Sequence, residues 1–412
     1  MKRSAIAVSI CFCITPPAAF AYDWSVRTSQ SESVEVNSNQ FLKPSPAGSV
    51  GSYSTLTANA EARTPTSKFD FDGDGTYRKY WGPGVEGVAS ESLNYGFRAR
   101  YEQREKTKFD REYVEALWRQ QSTAFAILND LGIATRVGGF LDRLTASGGI
   151  DRSVTALDTV SLFATSSRTS YEPSSGGIPF TDTLARGSWR RSLSPTTALN
   201  LSSEAELLAF DNAFNTRNQI YREQIGIDAT FSPLLSFRGN VGAAYLVTEG
   251  GVATSPIGGT ISLTPVASSV SDWIGDAVLT YKMLKTTTLT VIASQSVAPS
   301  VIGAIFKRDS IAANLNHQIN SRSSLSFSAS GNRQISTTTT DFASASASYS
   351  YNFTREWLGQ FTYRYQHRFS STGTTIVDTV TGIPTVSGSG PADSHSLLFV
   401  VTRNFLLLPP GN

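Results

Sequence analysis

Clustered acids, scattered arginines and three histidines are the residues of this 412-residue chain whose types and spacing could do chemistry. Asp70-Phe71-Asp72-Gly73-Asp74-Gly75 repeats the first half of an EF-hand calcium loop, which would need a bidentate Glu at its twelfth place. Trp81 stands there instead. The three aspartates alternate with other residues, so a β-strand would carry them all on one face. A row of wet side chains then accounts for them, and neither a metal nor a cofactor is expected. His317 and His367 alternate with Leu and Tyr and belong to apolar rows, while His395 lies between Ser394 and Ser396 at a strand start. A hydrolase needs a His held against a Ser or a carboxylate; these positions argue against an enzyme.

The arginines form the more distinctive set. Arg78, Arg98, Arg100, Arg104, Arg186, Arg190, Arg222, Arg238, Arg364 and Arg368 all fall on polar rows of candidate strands. Asp70, Asp72, Asp74, Glu102 and Asp228 oppose them. Two readings stay open. Paired charges brace a water-filled space, or they set a transverse field that sorts solutes and donates hydrogen bonds to an anionic or sugar substrate.

Such rows need strands to hold them, and the clearest hairpin is Tyr221 to Val247. Tyr221, Glu223, Ile225, Ile227, Ala229 and Phe231 form one row, and Arg222, Gln224, Gly226, Asp228 and Thr230 the other. After Ser232-Pro233-Leu234, Leu235, Phe237, Gly239, Val241, Ala243, Tyr245 and Val247 face one way, with Ser236, Arg238, Asn240 and Gly242 behind them. Strict alternation predicts strands with one apolar and one polar face. At about 11–13 residues they are long for a globular protein but right for a tilted bilayer crossing. Aromatics sit near the row ends, where membrane interfaces favour them.

Lys2-Arg3, a short apolar run from Ala5 to Ile14 and Ala19-Phe20-Ala21 make residues 1–21 a predicted secretory signal peptide. Both cysteines, Cys11 and Cys13, lie in it, so the remaining chain would hold no disulfide and no thiolate metal site. Without Lys2 and Arg3, the 35 basic residues fall level with the 33 acidic ones. That balance argues against nucleic acid as a partner. Hydrophobic content is 40%, and no later apolar run approaches a helical span.

Similar alternation recurs along the whole chain and predicts eighteen strands, with sixteen as the alternative count because the strands near Phe140–Asp151 and Thr159–Tyr171 are weaker. A short loop helix is expected at Phe125 to Leu131. Every second connection is short, around Pro65, Thr107, Thr155, Ser194, Pro233, Lys285, Ser321 and Thr354. The others are mostly longer, notably Glu249–Ser271 and Ser370–Asp393. Short turns on one rim and long loops on the other are the plan of an outer-membrane barrel, and a sandwich imposes no such asymmetry. In lipid only closure satisfies every backbone group. The expected fold is therefore an all-β, up-and-down antiparallel transmembrane barrel over residues 22–405, both termini periplasmic, with a short tail over residues 406–412.

Further residues carry a family likeness. Arg190-Arg191-Ser192-Leu193-Ser194-Pro195-Thr196-Thr197, Ala298-Pro299-Ser300-Val301-Ile302-Gly303 before Arg308-Asp309-Ser310, and a final strand ending at Phe405 resemble the beta-barrel porin-2 family. That resemblance implies an outer-membrane protein associated with exopolysaccharide and exosortase-type systems, and it supplies no catalytic residues. The expected function is a porin-like channel for hydrophilic solutes in the bacterial outer membrane. One alternative is a conduit for a secreted polysaccharide working with periplasmic export components. Another is a structural or adhesive surface barrel that binds through its long loops.

Overall fold

The computed structural model describes residues 23–408 apart from 86–89, 105–109, 124, 127–138, 174–176, 213–215, 253–264, 300–304, 336–338, 370–375, 378–383 and 386–389. The expected signal peptide and residues 409–412 of the expected tail lie outside the described residues, as does most of the expected loop helix, of which Phe125 and Ala126 are helical. The strands are β1 (Asp23–Asn37), β2 (Ser49–Arg63), β3 (Ser67–Trp81), β4 (Glu91–Arg104), β5 (Arg111–Ser122), β6 (Phe140–Ser153) and β7 (Asp158–Glu172). Next come β8 (Phe180–Ser194), β9 (Thr197–Phe210), β10 (Arg217–Ser232), β11 (Leu235–Val252), β12 (Pro265–Leu284) and β13 (Thr287–Pro299). The chain continues through β14 (Ile305–Gln318), β15 (Ser323–Ile335), β16 (Thr339–Asn352) and β17 (Trp357–Arg368). A two-residue ribbon, β18 (Ile376–Val377) with β19 (Pro384–Thr385), lies in the last loop before β20 (Ala392–Leu408).

Each long strand pairs antiparallel with its neighbours, and β1 pairs with β2 on one side and β20 on the other. The eighteen-stranded sheet thus closes on itself, which leaves no edge to be exposed in lipid. The short turns have a shared device. Thr64 Oγ1 accepts from the Ser67 amide at 2.9 Å, Thr155 Oγ1 from Asp158 at 3.0 Å, Ser232 Oγ from Leu235 at 3.1 Å and Thr354 Oγ1 from Trp357 at 3.1 Å. Asn320 Oδ1 does the same for Ser323 at 2.9 Å. A short polar side chain that satisfies an amide three residues on reverses the chain at once, so these residue types favour this rim.

Alternation then sorts the faces. Leu56, Leu162, Val241, Ile311 and Phe399 stand exposed on the outer rows, an apolar surface far larger than a water-soluble monomer shows. Among the described residues no helix is long and apolar enough to cross a membrane. The transmembrane element is the barrel itself.

Two boundaries differ from expectation. β20 continues through Leu408, with Leu406 opposite Arg27 and Leu408 opposite Val26 after a bulge, so these residues belong to the wall rather than a tail. β11 and β12 also extend well into the expected Glu249–Ser271 loop, pairing as far as Val252 with Pro265.

Candidate functional site in the barrel lumen

The polar rows face inward and make three different walls. Across β2 to β5 the inner side chains form a girdle of alternating charge. Lys68 Nζ lies 2.8 Å from Asp70 and 3.3 Å from Glu61, Arg98 lies 3.4 Å from Asp72, and Arg119 lies 3.1 Å from Asp74. Asn59 donates to Asp72 at 2.6 Å. Arg100 binds Glu102 at 3.2 Å and Glu115 at 3.3 Å, Arg104 reaches Glu102 at 2.6 Å, and the Tyr113 ring lies 4.3 Å from the Arg100 guanidinium. Each of Asp70, Asp72 and Asp74 therefore has a cation of its own, and they are spread along one strand instead of gathered round a point. Arg100 opposes Asp70 in register but its ion pairs go to Glu102 and Glu115.

On β8 to β11 a tighter knot forms. Arg222 is ion-paired to Glu204 and lies 2.6 Å from Glu206, while Arg186 donates to Glu204 at 2.6 Å. The Arg222 side chain is 12% exposed and the two glutamates 6% and 5%. Towards the turn end, Asp228 takes Arg238 at 2.9 Å and Arg190 at 3.3 Å.

The third wall, from β13 round to β1, is mostly hydroxyl and amide. Ser294–Ser310, Ser328–Ser346 and Ser330–Ser344 pair across strands at 2.7 Å, and Ser348–Thr362 and Ser31–Thr402 at 2.8 Å. Arg364 stands exposed on this wall with no partner among the described residues. Arg368 is 2% exposed and donates to the Gly390 carbonyl at 3.3 Å.

At the loop end the inner rows turn apolar and the lumen narrows. Phe180, Leu208 and Ile220 are fully buried on the inner rows of β8, β9 and β10, and Ala244 and Ile274 on those of β11 and β12. What covers them is the far end of the β13–β14 hairpin: Val297 packs with Ala244 and Ile274, and Ile305 packs against both groups. Arg222 donates to the Val297 carbonyl at 2.6 and 3.2 Å across the inner faces of β11 and β12. Lys307 meets Asp272 at 2.7 Å. The hairpin end has left the wall and lies inside it.

A second inward contact comes from the loops after β1 and β5. Phe41 and Phe125 pack on Tyr80 and Tyr53 of the inner rows, with ring centroids 5.7 Å apart for Phe41–Phe125 and 5.2 Å for Tyr80–Phe125. Arg78 sits 5.7 Å from the Tyr53 ring and 5.7 Å from the Phe125 ring. Its guanidinium thus holds a loop rather than an acid.

The ten arginines and five acids singled out from sequence lie on the polar rows by pairing register, dispersed among these walls, and do not meet at one point. Sequence reading missed Glu204, Glu206 and Glu115, the acids that hold Arg186, Arg222 and Arg100, although each lies on a polar row. It also missed the hairpin, whose signal was apolar residues such as Leu208, Ile220, Leu246 and Ile274 on rows otherwise wet. The histidines face outward: His395 Nδ1 shares a 2.8 Å hydrogen bond with Tyr363, His367 Nδ1 lies 2.7 Å from Asp393, and His317 Nδ1 lies 2.8 Å from Thr287 Oγ1.

No family model and no curated protein matches the chain. Among solved structures it is similar to Pseudomonas aeruginosa OccK2 (OpdF) in complex with glucuronate, at a TM-score of 0.48 and 10% identity over 94% of this chain and 99% of that one. It is also similar to Acinetobacter baumannii OccAB4, at 0.44 and 10% over 95% and 100%, and to the FrpB iron transporter from Neisseria meningitidis (F3-3 variant), at 0.48 and 8% over 93% and 82%.

Proposed function

We propose that the chain is a porin-like channel for hydrophilic solutes in the bacterial outer membrane, with the rim of short turns, where the described ends Asp23 and Leu408 lie, facing the periplasm. The observation that carries this reading is an inner surface of charges, hydroxyls and amides, with an apolar patch under the β13–β14 hairpin at the loop end. Solutes would pass a girdle of ion-paired acids and arginines on β2 to β5 and a wall of hydroxyls and amides from β13 round to β1, surfaces that exchange hydrogen bonds with polar and charged molecules. Ion conductance of the purified barrel in planar bilayers tests it. A folded barrel that never conducts at any applied potential refutes the passive channel.

The packed loop end favours a second reading, a conduit for a secreted polymer that periplasmic export components open; membership of the beta-barrel porin-2 family belongs to that reading. Conductance that appears only when such components are added would favour it over the passive channel.

A further inference from the structure

We propose that the inner wall formed by β15, β16 and β17 is a binding site for a sugar acid, a solute with one carboxylate and several hydroxyls. The inference deepens the channel reading and rests on it. The acids of β14 to β17 and β20 are Asp309, Asp341 and Asp393, and all three stand on outer rows. The inner rows of the same strands carry Arg308, Arg364 and Arg368 among serines, asparagines and glutamines. This side of the lumen is therefore positive, and a wall of that sign without acids draws anions.

Arg364 is the cation that such an anion can use. It is exposed, with no partner among the described residues. Arg368 is 2% exposed and turned to the Gly390 carbonyl. The arginines of the girdle and of the knot on β8 to β11 already hold acids, which a solute would have to displace. Near the level of Arg364, the first inner acid beyond β20 is Glu35, which accepts from the Tyr53 hydroxyl and the Asn37 amide.

Register builds the rest of the site. Ser328 stands opposite Ser346, and Ser346 opposite Arg364; one inner position nearer the loops, Ser330 stands opposite Ser344, and Ser344 opposite Gln366. The four serines and Gln366 are half-buried. Each serine pair, at 2.7 Å, uses one hydroxyl hydrogen. The other hydrogen and the remaining lone pairs are left for a solute. With strands about 4.8 Å apart, these two rungs are about 10 Å broad, room for one sugar ring. The planar guanidinium at their end matches a carboxylate, while the hydroxyls and the amide suit the ring hydroxyls. A bare anion would use only Arg364, and a neutral sugar only the serines and Gln366.

The test titrates the full-length barrel, purified in detergent, with galacturonate, galactose or propionate, and reads binding by saturation-transfer NMR. Galacturonate should bind about tenfold more tightly than either of the others. Arg364→Gln should weaken galacturonate about tenfold, as loss of one charge-assisted bond implies, and leave galactose unchanged. Ser328→Ala with Ser346→Ala should weaken galacturonate and leave propionate unchanged. Gel heat-modifiability confirms that each variant is folded. Equal binding of the three probes, or galacturonate binding unchanged in either variant, overturns the site. Failure of the channel reading would show separately, as a barrel that binds galacturonate yet never conducts.

Discussion

Arg222 is the side chain whose loss should change the lumen most. It joins Glu204 and Glu206 of β9 to the Val297 carbonyl at the inturned end of β13. In Arg222→Met the hairpin keeps the packing of Val297 and Ile305 and the Lys307–Asp272 pair. That pair is more than a quarter exposed, at 26% and 27%, so screening reduces its worth. The hairpin loses a charge-assisted bond to its carbonyl, worth about 1.5–3 kcal/mol, while the loss of the Glu204 and Glu206 pairs falls on the wall. At tenfold per 1.4 kcal/mol, the fraction of time the hairpin stands away from the wall should rise about 10- to 100-fold. Single-channel recording should then show frequent excursions to a larger conductance level that are rare in the wild type. Arg222→Lys, which keeps the charge but not the planar fork that reaches both partners, should fall between the two. Identical conductance and dwell times for a folded Arg222→Met barrel would refute the idea that this residue holds the constriction.

Three other outcomes follow from the walls. Arg98→Gln with Arg100→Gln leaves Asp72 and Glu115 without their arginines, so the reversal potential in a salt gradient should move toward cation preference; no movement would mean the girdle does not line the ion path. Ile225→Lys puts a charge on the outer face amid an apolar row and should lower stability in bilayers by about 2–4 kcal/mol, measured by urea unfolding, whereas Ser346→Lys on the inner row should stay within about 1 kcal/mol. Gly242→Val should destabilise by about 1–3 kcal/mol, because a Cβ there would lie 1.8 Å from the Glu223 carbonyl oxygen; an unfolding curve like the wild type's would show that the wall yields more readily than its contacts imply.

Much of this architecture was legible because a barrel strand obeys one local rule. Period-two alternation at Tyr221–Val247 places Ile225 and Val241 outside and Arg222 and Asn240 inside without any knowledge of neighbours, and Thr64, Thr155 and Thr354 mark the tight rim in the same local way. Pairing across the lumen was less legible. Register sets Arg100 opposite Asp70, yet the guanidinium turns to Glu102 and Glu115, because a long side chain chooses among several acids within reach.

The inturned hairpin escaped sequence reading for a deeper reason. Assigning faces by parity assumes that every residue of a strand stays in the wall, and at Val297, Ile305 and Lys307 that assumption fails. These are outer-row positions by count, and they face the inner surface because β13 has parted from β12 beyond Gln295. A single strand cannot announce such a departure, since its own alternation is unbroken. The surface that receives it can. Leu208, Ile220, Leu246 and Ile274 sit on rows that water should wet, on four consecutive strands and at one end only. An apolar patch on a wet row is unfavourable unless something covers it. The misplaced residues of β9 to β12 and the departing end of β13 are therefore one feature, a wet row made apolar where a strand end comes in to cover it.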